Sequence, residues 1–211
     1  MTNKYIRIVG GQYRRTPIAV IDAAGLRPTP DRVRETLYNW LHYFWDGDFA
    51  GKSVLDLFAG SGVLGFEAAS RGVGHVQMVE RDKAALVALR AVRDKLGASQ
   101  IRIHAGDAME VLRRMDASRY DLVLLDPPFN QGWLERVGPL LPGILADDAL
   151  VYVESEAEIS PDVLSGATHA QSPAEIPAPA LGQPAAQFEM LRKDRAGAVH
   201  YALLRFAAMR K

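Results

Sequence analysis

Two consecutive prolines, Pro127 and Pro128, follow the apolar run Tyr120-Asp121-Leu122-Val123-Leu124-Leu125 and Asp126. Neither proline has a backbone N–H, and both hold φ near −65°, so a strand cannot continue through them. The run therefore reads as a strand that stops at Asp126. Its end presents a carboxylate, a Pro127 carbonyl with no donor beside it, and the aromatic face of Phe129. Together these suit a planar ring bearing an NH2 group and point to chemistry on an exocyclic amine.

From Ser53 onward, short apolar runs alternate with longer amphipathic stretches, the order of a doubly wound parallel sheet. Strands are expected at Ser53 to Phe58, His75 to Glu80, Ile101 to His104, Leu122 to Asp126 and Ala149 to Ser155. Lys83 to Leu96 has the helical period, with Leu86, Leu89, Val92 and Leu96 on one side, Arg90, Arg93 and Lys95 on the other, and Gly97 as a stop. Phe188 to Lys193 and Val199 to Phe206 flank Asp194-Arg195-Ala196-Gly197 and read as a hairpin that completes the sheet, at least partly antiparallel.

Ahead of the sheet, Ile6 to Tyr13, with Gly10-Gly11, reads as a small hairpin. Thr29-Pro30 offers a capping hydroxyl and a first-turn proline to an amphipathic helix carrying Val33, Leu37, Trp40, Leu41 and Phe44, an apolar stripe expected in the core. Residues 160–187 hold five of the twelve prolines and read as an irregular excursion. A length of 211 residues with 48% apolar side chains fits one α/β domain with an appendage, divided here into an extension over 1–50 and a catalytic domain over 51–211.

Asp56-Leu57-Phe58-Ala59-Gly60-Ser61-Gly62 lies at the end of the first long strand. Glycines there allow a tight turn and close approach of a ligand to the backbone, and Glu80, at the end of the next strand, can bind ribose hydroxyls. A nucleoside cofactor is implied. Gly106-Asp107-Ala108, after the third strand, is either a turn with a helix cap or the place where Asp107 recognises an adenine amine. Gly60-Ser61-Gly62-Val63-Leu64-Gly65 also matches the dinucleotide pattern G-x-G-x-x-G, which is the signature of a nicotinamide enzyme. Hydride transfer has no evident use for Asp-Pro-Pro-Phe, and Asp56 sits where a methyltransferase holds the methionine part of its cofactor, which favours S-adenosylmethionine.

Formal charge is zero overall, but residues 1–34 carry seven Lys/Arg against two Asp/Glu, while residues 35–211 carry 18 against 23. A basic arm on an acidic body concentrates phosphate contacts on one side, although an ordinary solvated face has the same composition. With no cysteine there is no disulfide or thiolate metal site, which is compatible with a reducing compartment, and the cytoplasm is the expected location. No apolar stretch approaches the roughly 20 residues of a membrane span, and the first residues lack the apolar segment of a signal peptide. His42, His75, His104, His169 and His200 have no ligand spacing, and no metal is expected.

Taken together, Arg7-Ile8-Val9-Gly10-Gly11, Gly25 to Thr29, Asp31 to Leu37, Phe58 to Gly62, Asp126 to Phe129 and Tyr152-Val153-Glu154-Ser155-Glu156 resemble the RsmD family, bacterial 16S rRNA guanine-N2 methyltransferases. The stretch from about Ser165 to Gln187 is longer than the family pattern. The resemblance implies an α/β, Rossmann-like S-adenosylmethionine-dependent methyltransferase fold. Its sheet would be mostly parallel and seven-stranded with a C-terminal antiparallel hairpin, preceded by a small hairpin and helix extension.

It further implies methylation of the exocyclic N2 of one guanine, the family's guanine 966, in 16S rRNA of the small subunit or of a late assembly intermediate, by a cytoplasmic monomer without a metal. The expected catalytic residues are Asp126, Pro127, Pro128 and Phe129. Those for the cofactor are Asp56, Phe58, Ala59, Gly60, Ser61, Gly62, Glu80, Arg81, Asp107 and Ala108. Arg7, Arg14, Arg15, Arg27, Arg32 and Arg34 are the RNA-binding candidates, with Arg32 and Arg34 also able to pair with Glu35 or solvent. A methyltransferase for a DNA base or a protein glutamine, and a non-catalytic ribosome assembly factor, are the alternatives.

Overall fold

A computed structural model describes residues 5–20, 29–115, 119–165 and 187–207. The chain opens with a two-stranded antiparallel pair, β1 (Tyr5–Arg7) and β2 (Pro17–Ala19), followed by α1 (Asp31–Phe44). Then come β3 (Ser53–Asp56), α2 (Val63–Ser70), β4 (His75–Glu80), α3 (Lys83–Leu96), β5 (Ile101–Ala105), α4 (Ala108–Arg114) and β6 (Tyr120–Leu125). After β6 the chain forms α5 (Trp133–Val137), a 3-10 turn over Gly138–Gly143, β7 (Leu145–Ser155), α6 (Asp162–Ser165), β8 (Gln187–Ala196) and β9 (Val199–Ala207).

The second sheet has seven strands in the order β5-β4-β3-β6-β7-β9-β8. The strands from β5 to β7 in that order run parallel, whereas β9 pairs antiparallel with both β7 and β8. The fold is the α/β methyltransferase fold expected from the sequence, with its C-terminal antiparallel hairpin. One face packs against α1, α2 and α3 through Val33, Leu37, Leu41, Phe66, Leu89, Val54, Leu122 and Tyr152. The other carries α4, α5 and α6 on Leu55, Val79, Val123 and Val153. Burying both faces is why these strands are continuous apolar runs. The strand order reverses between β3 and β6, and a crevice outside the carboxyl ends of two such strands is where this architecture receives ligands.

Several boundaries differ from expectation: β6 runs Tyr120–Leu125 rather than Leu122 to Asp126, and β8 continues to Ala196, through most of the expected turn Asp194 to Gly197. β3 ends at Asp56 rather than Phe58, because residues 57 to 62 turn away to begin α2. β7 begins at Leu145 rather than Ala149. The amino-terminal hairpin returns at Pro17–Ala19, beyond Tyr13, because its loop is longer than a tight Gly10-Gly11 turn and closes with Arg14 N donating to the Gly11 carbonyl. Gly11 has φ +74, and a Cβ on it would lie 1.9 Å from the Ser70 carbonyl oxygen, so the pair is where this loop presses onto the end of α2. The excursion expected over 160–187 starts with α6, and most of it, residues 166–186, lies outside the described residues. No helix among the described residues is long and apolar enough to cross a membrane.

Candidate active site

The switch point brings three carboxyl groups to the ends of neighbouring strands. Asp56 closes β3, Asp126 follows β6, and Glu154 is the penultimate residue of β7. The period-2 alternation of the strands puts all three on the face covered by α1 and α2, with Val54, Leu124 and Tyr152 beneath them.

Asp56 is 2% exposed, and its Oδ2 accepts one backbone bond, from Gly65 N at 3.0 Å. A Cβ on Gly65 would stand 3.0 Å from that oxygen and 2.6 Å from Met78 Cε, so only glycine lets the helix approach this closely. Burial pushes the Asp56 carboxyl up to about 7, with the Gly65 N–H opposing and the charge of Glu80 adding to the rise. A buried carboxyl with no cationic partner among the described residues suits a ligand ammonium group, as the methionine part of S-adenosylmethionine would supply.

Glu80 is bound by the backbone. Its Oε2 accepts from Gly60 N at 2.7 Å, and its Oε1 accepts from Arg81 N and Asp82 N at 2.8 and 2.7 Å. The carboxylate ties the glycine turn to the end of β4, and Oε2 keeps a lone pair for a hydroxyl. Asp107 caps α4 through Oδ1, which accepts from Met109 N and Glu110 N. Its Oδ2 lies 3.8 Å from Arg81 Nη1. Capping and ligand recognition were open readings of Asp107; the cap is formed, and the second oxygen is held at the rim.

Asp126 is partly buried, Pro127 is buried, and Phe129 is half-buried. Just beyond the loop, Asn130 N donates to Glu156 Oε1 at 2.7 Å, and Trp133 of α5 packs edge-on to Phe58 with ring centroids 5.3 Å apart. The stretch that leads into the glycine turn is thereby tied to α5, the helix that follows the Asp-Pro-Pro-Phe loop. Burial, then the charges of Glu154 and Asp56, hold the Asp126 carboxyl well above its ordinary range, against a hydrogen bond from Thr29.

Thr29 does not cap α1. Pro30 occupies the cap position without a side-chain bond. The Thr29 hydroxyl instead lies 2.8 Å from Glu154 Oε1 and 3.3 Å from Asp126 Oδ2. Glu154 Oε1 also accepts from the Tyr152 hydroxyl at 2.9 Å. Thr29 and Glu154 are thus two members of the site to which the sequence reading gave no role there.

The arginines separate. Arg34 cannot meet a phosphate, because it is fully buried. Its Nη1 donates to Glu67 Oε2 and to the Arg7 carbonyl, Nη2 pairs with Asp31, and Nε donates to the Thr29 carbonyl. Its partner is Glu67 of α2, not Glu35. Arg7, Arg14, Arg15 and Arg32 are exposed, and Arg27 lies outside the described residues. Among the described residues, no group of three or more His, Asp or Glu side chains is placed to hold a metal ion.

Comparisons with known proteins bear on the family and the fold. The family model described as conserved hypothetical protein 95 matches residues 6–172. Ribosomal RNA small subunit methyltransferase D of Escherichia coli (strain K12) is 44% identical over 155 residues, covering 72% of this chain and 76% of that protein. Its counterpart in Haemophilus influenzae is 37% identical over 158 residues, covering 72% and 80%. Among solved structures, the putative methyltransferase yhhF from Escherichia coli superposes with a TM-score of 0.74 at 35% identity, covering 98% of this chain and 100% of that one.

Proposed function

From the premise that the chain belongs to the RsmD family of ribosomal RNA small subunit methyltransferases, we propose that it methylates the exocyclic N2 of a guanine in 16S rRNA, the family's guanine 966. The observation that carries this reading is the meeting of Asp56 and Asp126 across the switch point, one suited to a cationic cofactor and the other to an amine. S-adenosylmethionine is the methyl donor; when bound it supplies a methyl group already activated on a sulfonium, so no metal is required.

Asp56 binds the cofactor's ammonium. The backbone from Phe58 through Ala59, Gly60 and Ser61 to Gly62 lines its path, Glu80 and Arg81 meet the ribose, and Asp107 with Ala108 lies at the adenine. The guanine amine is a weak nucleophile because its lone pair is delocalised into the ring. Acceptors on its two N–H bonds favour the pyramidal nitrogen that attack requires, and the Asp126 carboxylate and the Pro127 carbonyl are those acceptors. Phe129 stacks on the base, and Pro128 keeps the loop rigid. Residues 1–50 contribute phosphate contacts from Arg7, Arg14, Arg15, Arg27 and Arg32, residues 51–211 form the catalytic domain, and the substrate is the small subunit or a late intermediate in the cytoplasm.

The test is methyl transfer from labelled donor to small subunits from a strain lacking this enzyme, followed by mapping of the modified nucleotide. The expected product is one guanine carrying N2-methyl. Asp126→Ala should lower turnover about a hundredfold or more while S-adenosylhomocysteine affinity stays within a few fold. Near-normal turnover in that variant removes Asp126 from the chemistry, and label on DNA or protein instead of rRNA overturns the substrate.

A further inference from the structure

We propose that Glu154 is a positioning residue that takes up the proton of Asp126 through the Thr29 hydroxyl, leaving Asp126 ionised where the amine arrives. The inference rests on the role given to Asp126 above. Glu154 is 3% exposed and Thr29 2% exposed, so neither exchanges freely with solvent. Thr29 Oγ1 stands between the carboxyls, 2.8 Å from Glu154 Oε1 and 3.3 Å from Asp126 Oδ2. A threonine hydroxyl has one proton to donate and can accept as well. With its proton on Glu154, it can satisfy Asp126 only by accepting, which requires Asp126 to be the neutral acid.

No cation among the described residues makes an ion pair with either carboxyl. Two like charges this close in a buried corner cannot both persist, and one proton shared between them is the ordinary solution. The surroundings sharpen the point. Asp56 of β3 adds a third acid, Tyr152 of β7 donates its hydroxyl to Glu154, and Tyr201 of β9 lies beyond Tyr152 with ring centroids 6.5 Å apart. From the helical layer, Arg34 of α1 reaches the Thr29 carbonyl, but its charge is matched by Glu67 of α2 and by Asp31.

The step balances without a co-reactant. The Asp126 O–H bond breaks as Thr29 Oγ1 takes that proton, the Thr29 O–H bond breaks as Glu154 Oε1 takes its proton, and Thr29 is left as a hydroxyl pointing at Asp126. The net charge of the corner is unchanged, but the negative charge has moved to the oxygen that faces the amine. Burial raises the Glu154 carboxyl above the ordinary carboxylate range, while the bonds from Thr29 and Tyr152 oppose the rise, so Glu154 holds a proton more readily than an exposed carboxylate does.

The experiment is the pH dependence of single-turnover methyl transfer to small subunits. Glu154→Gln keeps an acceptor for Thr29 and Tyr152 but cannot take up a proton, so Asp126 must lose its proton to solvent and the acid limb should move to higher pH; a move to lower pH would mean that Glu154 acts only as a neighbouring charge and overturns the inference. Thr29→Val removes the bond that favours ionised Asp126, so its limb should move to higher pH, and Thr29→Ser should restore the wild-type limb. Limbs that coincide with wild type in both Glu154→Gln and Thr29→Val overturn the inference, since a purely structural role lowers the rate at every pH. Should the variants fail to fold, carboxyl 13C NMR of the wild-type protein decides: the inference expects coupled titration of Asp126 and Glu154, and independent titration at ordinary carboxylate pH sinks it. If Asp126→Ala remains active the catalytic reading fails; if Asp126 is essential and the limbs do not move, only the role of Glu154 fails.

Discussion

Two buried charged clusters meet at Thr29. On its carbonyl side Arg34 and Glu67 are saturated: Glu67 accepts from Val9 N, Gly10 N, Arg34 and Arg71, and every nitrogen of Arg34 has an acceptor. On its hydroxyl side Asp126 and Glu154 are two carboxyls with a hydroxyl between them, one proton to share, and no cation pairing with either among the described residues. A saturated pair holds shape, here the clamp of the amino-terminal loop onto α2. An unsaturated pair costs stability and keeps capacity to bind a donor, which is what an active site requires.

Stability measurements are the most forceful way to break this comparison. Glu67→Ala leaves a buried guanidinium with backbone donors unpaired and should cost about 3–5 kcal/mol in urea denaturation. Arg34→Ala should cost less, because the Glu67 carboxylate left behind keeps Arg71 and the Val9 and Gly10 N–H groups. Glu154→Gln removes a carboxyl that no cation among the described residues matches and should change stability by less than about 1 kcal/mol at pH 8, or increase it. If Glu154→Gln costs as much as Glu67→Ala, the two clusters are both structural and the distinction disappears.

The difference between the clusters was only half legible in the sequence. The strand-stopping prolines, the helix Lys83–Leu96 with Gly97 at φ +61, and the carboxyl-terminal hairpin all follow from local chemistry, and the structure has them. Arg34 was assigned to RNA by its charge, yet it shares a helical face with Leu37, Tyr38 and Leu41 at the spacing of a buried stripe. That spacing was a readable signal against the assignment. Thr29 offered none. Its Thr-Pro context has the same form as a helix cap, and its partners lie 97 and 125 residues away, set by strand order rather than by neighbours. Glu154 had a weaker sign, a carboxyl in an apolar strand two residues from a tyrosine on the same face.

Asp56 sharpens the comparison through protons. Its carboxyl is raised from an unfolded value near 3.8 to about 7, so between those values the folded chain holds a proton that the unfolded chain has lost. Its contribution to stability is full below about pH 4 and is lost as pH rises through about 7. The stability of Asp56→Asn relative to wild type should therefore rise across that window, and the converse trend would mean that the carboxyl is already paired. A ligand ammonium favours the charged form, so S-adenosylhomocysteine binding at about pH 6 should release up to about one proton, seen by calorimetry in buffers of different ionisation enthalpy. Binding without proton release would place the ammonium elsewhere.

The smallest expected effect concerns the exposed arginines, where the contrast with Arg34 is simplest. A phosphate contact releases counterions, so each one removed should reduce the salt dependence of RNA binding by about one unit of the log–log slope. Arg14→Gln should do this while leaving the unfolding midpoint unchanged, because the Arg14 side chain is exposed. Arg34→Gln should lower the midpoint, and any protein that stays folded should keep the wild-type slope, since its guanidinium is wholly occupied by Glu67, Asp31 and two carbonyls. A slope that falls for Arg34→Gln and not for Arg14→Gln would place the RNA on the clamp instead of the outer face, and the saturated cluster would then have to open for the substrate.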